Sequence, residues 1–529
     1  MSEFANIGKK ASTTLYLSSI GKVLSLAITI LIVLLFAREL GPSDFGVYII
    51  ALGYAGIFGS VSHLGVGSYF TKGLAENSYK KDKDQAIATL ANGYVLVVIG
   101  SAILLILALL GSFVASSYLN KIGIPPLTFM LASMDVIASI FWGVTYMALI
   151  GFGDGGSSAR TTVIVSFAQI VAGFLLIKMG FGVNGAIVGM LAGDVIGMVV
   201  SLLFLSNSIP AGSWIAIKNL SKLELSKILK FSIPLTANNI VTTIVANAST
   251  LLLGYYAGSI ISGNYGAAMK SIGVVIFLYG VMATVLIQAF SMVLSSEKHS
   301  HDIEKALNYS TYYSMLFLLP IIVFIAVFSV PLIKVMFTQS YSSAPLMISL
   351  LSAGVALGFV VTNAANLFIS SNKTKELFIY SFSSSVVQLA ALLLLVPRFG
   401  AIGLIIAIYY IGNIVNLLLY SMNLKRMFSI KLDYRMLIRL AASSCVLLMI
   451  LYFMPTFGNS ILQLVAGAVA TCLLYPPILA TFRAVDHEAL NTVKSVLPDA
   501  KIVGMAFGLF KAYSSIFINM YQNDDQVNA

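Results

Sequence analysis

The sequence predicts an all-α polytopic membrane protein of about 14 transmembrane helices, arranged as two six-helix lobes in parallel repeat plus two C-terminal helices. Composition is the first observation behind this prediction: 59% of the 529 residues are hydrophobic and only 10% are charged. Soluble domains carry about 25% charged residues. The composition therefore excludes a soluble enzyme, a disordered chain and a nucleic-acid-binding protein. The second observation is that two glycine-containing turns between spans recur along the chain at almost the same spacing.

Fourteen stretches have the length that a bilayer-spanning helix needs, which is about 20 mostly apolar residues. They do not alternate in ten-residue strands, as a transmembrane barrel would. We number them spans 1 to 14 in chain order. They cover residues 13–37, 45–71, 86–112, 125–150, 161–179, 183–206, 231–257, 263–294, 306–330, 343–370, 376–396, 401–423, 436–454 and 459–481.

The positions of lysine and arginine predict the orientation of these spans, because positively charged loops stay in the cytoplasm. Twenty-four of the 31 Lys and Arg residues lie in loops or at span ends on the side of the N-terminus, five lie in the opposite loops or span ends, and two lie well inside spans. The sequence therefore predicts a multi-pass protein of the cell (plasma) membrane with its N-terminus and C-terminus in the cytoplasm.

The recurring glycine-containing turns lie between consecutive spans. Span 1 ends before Gly41 and span 7 before Gly258, at an offset of 217, and each glycine is followed by a glycine and a tyrosine at the same spacing. The turns before spans 6 and 12 contain Gly182 and Gly400, at an offset of 218. A unit of six spans keeps its orientation when it is duplicated, as in the parallel repeats of transporters.

The repeat divides the chain into five predicted parts. They are an N-terminal six-helix lobe (1–206), a cytoplasmic linker (207–230), a C-terminal six-helix lobe (231–424), two additional transmembrane helices (425–481) and a cytoplasmic or interfacial tail (482–529). Within the tail, residues 502–521 are moderately apolar but contain Ser, Asn and Lys. This dilution predicts a helix that lies at the membrane interface rather than a fifteenth span.

Four Lys, Arg, Asp or Glu side chains fall well inside predicted spans, away from the span ends: Lys22, Asp135, Asp194 and Lys270. A charge at the centre of a bilayer costs about 2.5–3.5 kcal/mol on insertion scales, so each is a functional candidate. Each lysine either binds a negatively charged ligand or extends its stem to the nearer membrane surface. The two carboxyls lie near mid-depth of spans 4 and 6. They are candidates for coupling to Na⁺ or H⁺, for pairing with Lys22, or for a protonated structural role.

Several helix-end motifs lie in a fixed order along residues 1–480. They are Arg38-Glu39-Leu40-Gly41-Pro42 with Phe45-Gly46-Val47-Tyr48 after span 1, His63-Leu64-Gly65-Val66-Gly67 with Lys72 at the end of span 2, Phe231-Ser232-Ile233-Pro234 opening span 7, and Pro397-Arg398-Phe399-Gly400 before span 12. In this order, and with this span count, the chain resembles the polysaccharide transporter family. These are the Wzx-like repeat-unit flippases of O-antigen and related glycans, in the multidrug/oligosaccharidyl-lipid/polysaccharide exporter superfamily.

The resemblance implies two six-helix lobes around a central cavity. It also implies transport, by alternating access, of an oligosaccharide linked to polyprenyl or dolichyl phosphate or pyrophosphate. The cargo would move from the cytoplasmic to the outer leaflet, for the assembly of surface polysaccharide or glycoprotein glycans. The implied partners are the lipid-linked oligosaccharide, membrane lipids and other glycan-assembly membrane proteins, with no nucleic acid.

Under this resemblance, the lipid-linked phosphate is the anion expected to meet Lys22 and Lys270, since related flippases place cavity cations on the first, second and eighth helices. Lys72 is either a headgroup ligand or a cytoplasmic anchor of span 2. The polar face of span 7 suits hydrogen bonding to sugar hydroxyls, although such residues also join helices within membranes. That face is formed by Asn239, Thr243 and Asn247.

The sequence predicts no catalytic residue, no metal site and no cofactor other than a coupling Na⁺ or H⁺. It lacks a G-x-x-x-x-G-K-[ST] loop for ATP hydrolysis, and its outer loops are too short to hold a glycosyltransferase site. Two alternatives stay open. One is a cation-coupled multidrug antiporter of the same superfamily, and the other is a membrane-embedded glycosyltransferase or ligase. The sequence does not identify the glycan or the lipid carrier.

Overall fold

The computed structural model describes residues 2–62, 65–80, 82–209, 222–295, 300–371, 373–428, 430, 433–485 and 515. Over these ranges the chain is almost entirely helical and contains no β-strand. The all-α prediction is therefore confirmed. Much of the predicted linker, and nearly all of the predicted interfacial helix at 502–521, lie outside the described residues.

Fourteen α-helices follow one another through the described ranges. They are α1 (Ser2–Ser62), α2 (Val66–Lys80), α3 (Lys83–Tyr118), α4 (Pro126–Gly151), α5 (Gly155–Leu176), α6 (Gly182–Ser208), α7 (Lys222–Ser295), α8 (Ser300–Val327), α9 (Ser329–Met336), α10 (Ala344–Ser370), α11 (Thr374–Ile405), α12 (Gly412–Phe428), α13 (Tyr434–Tyr452) and α14 (Ser460–Thr481). Two π-helical segments join α5 to α6 and α11 to α12, namely Ile177–Phe181 and Ile406–Ile411.

Nine helical stretches of the described chain are long and apolar enough to cross a membrane. Three of these each contain two predicted spans, because the chain turns at a glycine between them: Gly155–Ser208, Ile240–Gly280 and Thr374–Met427. The nine stretches thus account for spans 3 to 14, and α1 contains span 1 and residues 45–62 of span 2. The chain is a multi-pass membrane protein, and the prediction of about 14 transmembrane helices is confirmed.

The backbone has the same conformation at the corresponding glycine turns of the two halves. Gly41 has φ 69° and ψ 174°, and Gly258 has φ 82° and ψ 175°. Gly182 has φ 52° and ψ −131°, and Gly400 has φ 54° and ψ −128°. Side chains other than glycine rarely adopt these angles, so the same sharp turns between spans recur in each half. The parallel six-span repeat is confirmed at these two places.

The predicted end of span 2 at residue 71 is wrong. Helix α1 ends at Ser62, and a new helix, α2, begins at Val66 after Gly65, whose φ is 70°. The segment 42–62 is already about 31 Å long at 1.5 Å per residue, which is enough to cross the hydrocarbon core. Lys72 therefore lies on α2, where it is exposed, and does not end span 2.

The described helices pack into two compact units. One contains Met1–Ala267 with Ser381–Leu404, and the other contains Ala268–Tyr380 with Ile405–Ala529. The first unit thus takes span 7 together with spans 1 to 6, a grouping that follows packing and not the repeat. The predicted lobe boundaries stay a prediction.

Each unit has an apolar core of its own. In the first, α2 contributes Phe70 and Leu74 to a cluster with Leu90 of α3 and Leu149 of α4. In the second, residues of α8, α13 and α14 form a cluster around Tyr312, which is fully buried. The side chains that face outward from α3 are Val98, Ile99, Ile103, Ile106, Leu107, Leu110, Phe113 and Val114. This outward apolar face suits contact with lipid.

Glycines bring α5 and α6 close together in the first unit. Four glycines recur at every fourth position of α6: Gly185, Gly189, Gly193 and Gly197. A methyl group on any of them would overlap α5 or its neighbours. Small residues at this spacing let membrane helices approach to backbone contact. This close packing positions the polar side chains that lie between the two helices.

Candidate functional site

A buried acidic pair lies in the first unit. Asp135 of α4 and Asp194 of α6 are 5% and 4% exposed, and their carboxyls interact electrostatically with each other. The Nε2 of Gln169 on α5 donates a hydrogen bond of 2.8 Å to the Oδ1 of Asp194. The Oδ1 of Asp135 is buried without a hydrogen-bond partner among the described residues. The two predicted coupling residues are therefore brought together, with one oxygen left to accept a bond.

Two residues near the pair were not predicted from the sequence. Gln169 holds Asp194, and Tyr48, which is buried on the second half of α1, lies within electrostatic range of both carboxyls. The amide of Gln169 inside span 5 was an available signal, since a polar side chain within a span needs a partner. The role of Tyr48 had no such signal, because only packing brings α1 against α4 and α6.

Lys270 lies deep along its membrane-spanning helix. The helix restarts at Gly258, so Lys270 is twelve residues along it, or about 18 Å at 1.5 Å per residue. That distance is well beyond the reach of a lysine stem from the membrane surface at this turn. The side chain is exposed, although Ala267, Ala268 and Ser271 beside it are buried. An exposed cation at this depth is typical of a water-filled cavity, because lipid would not solvate it.

Lys22 lies toward the N-terminal end of span 1, far from the turn at Gly41. Its backbone is nineteen residues before Gly41, or about 28 Å along the helix, and its side chain lies outside the described residues. A methyl group on the neighbouring Gly21 would lie 2.6 Å from the Cα of Ala159, near the start of α5. On the same polar face, Ser25 forms a hydrogen bond of 2.7 Å with Ser166. The backbone of Lys22 is therefore level with the N-terminal end of α5.

The polar face of span 7 packs partly against span 2. A methyl group on Gly56 would lie 2.7 Å from the amide of Asn247, and one on Gly53 would lie 3.0 Å from Thr250. Asn247 and Thr243 are each partly exposed, and the side chain of Asn239 lies outside the described residues. This face therefore contacts another helix and still leaves some of its polar surface accessible.

A protein-family model described as Polysaccharide biosynthesis protein matches residues 35–346, which is more than half of the chain. The chain belongs to this family. The matched region contains the turns at Gly41 and Gly258, the acidic pair and Lys270. The family resemblance noted in the sequence is therefore confirmed.

Several known proteins are similar to most of the chain. The probable low-salt glycan biosynthesis flippase Agl15 of Haloferax volcanii is 21% identical over 469 residues, which cover 88% of this chain and 94% of that protein. Among solved structures, the lipid II flippase MurJ in an inward closed conformation has a TM-score of 0.69 at 16% identity, over 88% of this chain and 98% of that one.

An inward-facing multidrug resistance MATE family transporter of the MOP superfamily has a TM-score of 0.64 at 17% identity, over 79% of this chain and 98% of that one. At such low identities the two structural likenesses concern the fold. A shared fold can carry different cargoes, so the function of the family member has to be argued from its site.

Proposed function

We propose that this polysaccharide biosynthesis family member is a flippase. Its cargo is an oligosaccharide on polyprenyl or dolichyl phosphate or pyrophosphate, which it moves from the cytoplasmic to the outer leaflet of the cell membrane by alternating access. The observation that carries the proposal is the family match, together with a relative of similar length that is named a glycan biosynthesis flippase. In this proposal both termini are cytoplasmic and the chain is a transporter, not an enzyme.

We assign the phosphate of the cargo to Lys270 and Lys22. The exposure of Lys270 deep within a spanning helix supports this assignment, because an ammonium there can neutralise an anion that crosses the membrane. Asn247 and Thr243, with Asn239, are the residues we assign to glycan hydroxyls. Lys72, exposed on α2, is a further candidate for the headgroup.

The test is complementation of a strain that lacks the gene. Without the protein, the lipid-linked oligosaccharide should accumulate facing the cytoplasm, and the double variant Lys22→Ala, Lys270→Ala should fail to restore its export. Lys334→Ala, at an exposed lysine on α9, is the matched control and should restore export fully. Membrane insertion of each variant is measured in parallel. Full export by an inserted double variant would contradict the assignment of the lysines, and normal export without the protein would contradict the flippase proposal.

We propose that Na⁺ or H⁺ drives this transport by binding to Asp135 and Asp194. The Oδ1 of Asp135 has no hydrogen-bond partner among the described residues, and the Oδ1 of Asp194 is held by Gln169. Both are buried carboxyl oxygens, the kind of ligand that binds a small hard cation, and they support this role. Flipping by reconstituted protein should then depend on an imposed Na⁺ or proton gradient. Equal rates with both gradients collapsed would contradict the coupling.

A further inference from the structure

We propose that Gly46 and Gly263 form an interlock between spans 2 and 8, and that this interlock separates whenever the outer side of the transport path opens. The inference rests on the proposed function, which places the turns at Gly41 and Gly258 on the outer face. A methyl group on Gly46 would overlap the carbonyl group of Ser259 and lie 2.9 Å from the amide nitrogen of Gly263. A methyl group on Gly263 would overlap the carbonyl group of Pro42 and lie 3.0 Å from the nitrogen of Gly46.

These two contacts are reciprocal. Each glycine directs its Cα toward the carbonyl of the residue that follows the other half's turn, Ser259 after Gly258 and Pro42 after Gly41. Paired Cα–H···O contacts of this kind recur where helices meet at backbone distance. The two glycines are 217 residues apart, which is also the offset between the two turns. The repeat therefore contributes one half of the interlock from each copy, related by the same pseudo-symmetry as the turns.

Neighbouring side chains extend the contact along both helices. The Oγ atoms of Ser43 and Ser259 lie 3.1 Å apart. A methyl group on Gly266 would lie 2.6 Å from Ile49, and one on Gly254 would lie 2.7 Å from Ile50. The contact is thus closed by small residues and aliphatic side chains of the two repeat copies over about two helical turns.

A second contact joins the copies at the same end. The rings of Tyr118, at the end of α3, and Tyr255, just before Gly258, are stacked with centroids 4.2 Å apart. The ammonium of Lys121 lies 5.6 Å from the centroid of Tyr255. The tyrosine stack and the glycine contact are both made by close packing of uncharged groups. Contacts that rely on close approach of small residues are the ones that a single added methyl group disturbs most.

The test measures access from outside without any cargo. Cys445 and Cys472 are exposed and free, so both are first replaced by Ser. A single probe is then introduced by Thr250→Cys, at a buried position eight residues before Gly258 and packed against Gly53. Cells are treated with a membrane-impermeant maleimide. We expect Gly46→Ala and Gly263→Ala each to raise the labelling rate at least about fivefold, because the clash opposes only the closed arrangement.

The matched control is Gly273→Ala on the same helix as Gly263, where an added methyl group meets none of the described residues within 4 Å. It should leave the labelling rate unchanged. Equal rates for Gly46→Ala, Gly263→Ala and Gly273→Ala in inserted protein would overturn the interlock. Because labelling requires no substrate, this result is independent of whether the protein flips a lipid-linked oligosaccharide. If the protein proved not to flip a lipid-linked oligosaccharide, the comparison of labelling rates would still test the contact between Gly46 and Gly263.

A second measurement tests the proposal if the alanine variants of Gly46 and Gly263 fail to insert into the membrane. The double variant Ser43→Cys, Ser259→Cys, in the background without the native cysteines, places two thiols where the hydroxyls are 3.1 Å apart, which is close enough for a disulfide after small adjustment. Oxidation should stop export of the lipid-linked oligosaccharide, and a reductant should restore it. Unchanged export by fully crosslinked protein would overturn the proposal, since the spans would then transport without separating.

Discussion

Gly189→Ala is expected to separate α5 from α6 and to disturb the acidic pair. A methyl group on Gly189 would overlap the backbone of Gly173 and lie 3.1 Å from the carbonyl carbon of Ala172. Because a close-packed interior leaves no void to receive it, the two helices have to move apart by about 1 Å. The contact at Gly189 is between main-chain atoms, so no side-chain rotation can relieve the overlap.

The expected destabilisation has two parts. Overpacking of a tight helix contact costs about 1–3 kcal/mol. The same movement lengthens the 2.8 Å bond from Gln169 to Asp194, which joins these helices little more than one turn away, toward the limit of a hydrogen bond. Loss of a bond to a charged group costs about 1.5–3 kcal/mol. Together we expect about 2.5–6 kcal/mol, enough for a clear fall in the midpoint of thermal unfolding.

The assay is thermal unfolding of the protein purified in detergent, followed as the fraction that stays monodisperse after heating. Gly143→Ala on α4 is the matched control, since an added methyl group there meets none of the described residues within 4 Å. Alanine has the higher helix propensity, so the midpoint of this variant should equal or slightly exceed that of the wild type. A Gly189→Ala protein that unfolds at the same temperature as the Gly143→Ala protein would refute the reasoning. The backbone contact between α5 and α6 would then have no energetic weight.

Two further predictions concern single polar groups. Asp135→Asn should abolish the dependence of flipping on a Na⁺ or proton gradient, because an amide cannot take up the cation. The control Asp84→Asn, at the exposed start of α3, should keep this dependence. Gradient-dependent flipping by Asp135→Asn would contradict the coupling role. Tyr312→Phe should lower stability by about 1–2 kcal/mol, since the buried hydroxyl donates a 2.6 Å bond to the carbonyl of Ala484. Thermal unfolding at the same midpoint as Tyr256→Phe, at an exposed tyrosine, would exclude that contribution.

The sequence by itself determined the number and order of the spans. Each crossing needs about 20 apolar residues whose backbone groups bond within the helix, so every span is visible without knowledge of its neighbours. The two turns were predictable for a similar local reason. Gly41 and Gly258 adopt backbone angles that other residues avoid, and their common offset revealed the duplication. Asp135 and Asp194 were also visible, because a carboxyl inside an apolar stretch stands out.

The tertiary structure alone decided which helix faces meet. Within a membrane both faces of a helix are apolar, so hydrophobic periodicity does not distinguish a face that packs from one that meets lipid. For this reason the sequence did not indicate that Gln169 and Tyr48 lie beside the acidic pair, although the amide of Gln169 stood out within its span, or that Gly46 meets Gly263. The same limit applied to depth: Lys270 could be placed about 18 Å along its helix from the turn only when the helix was seen to restart at Gly258. Packing between distant segments, and not local preference, therefore assembles the proposed site.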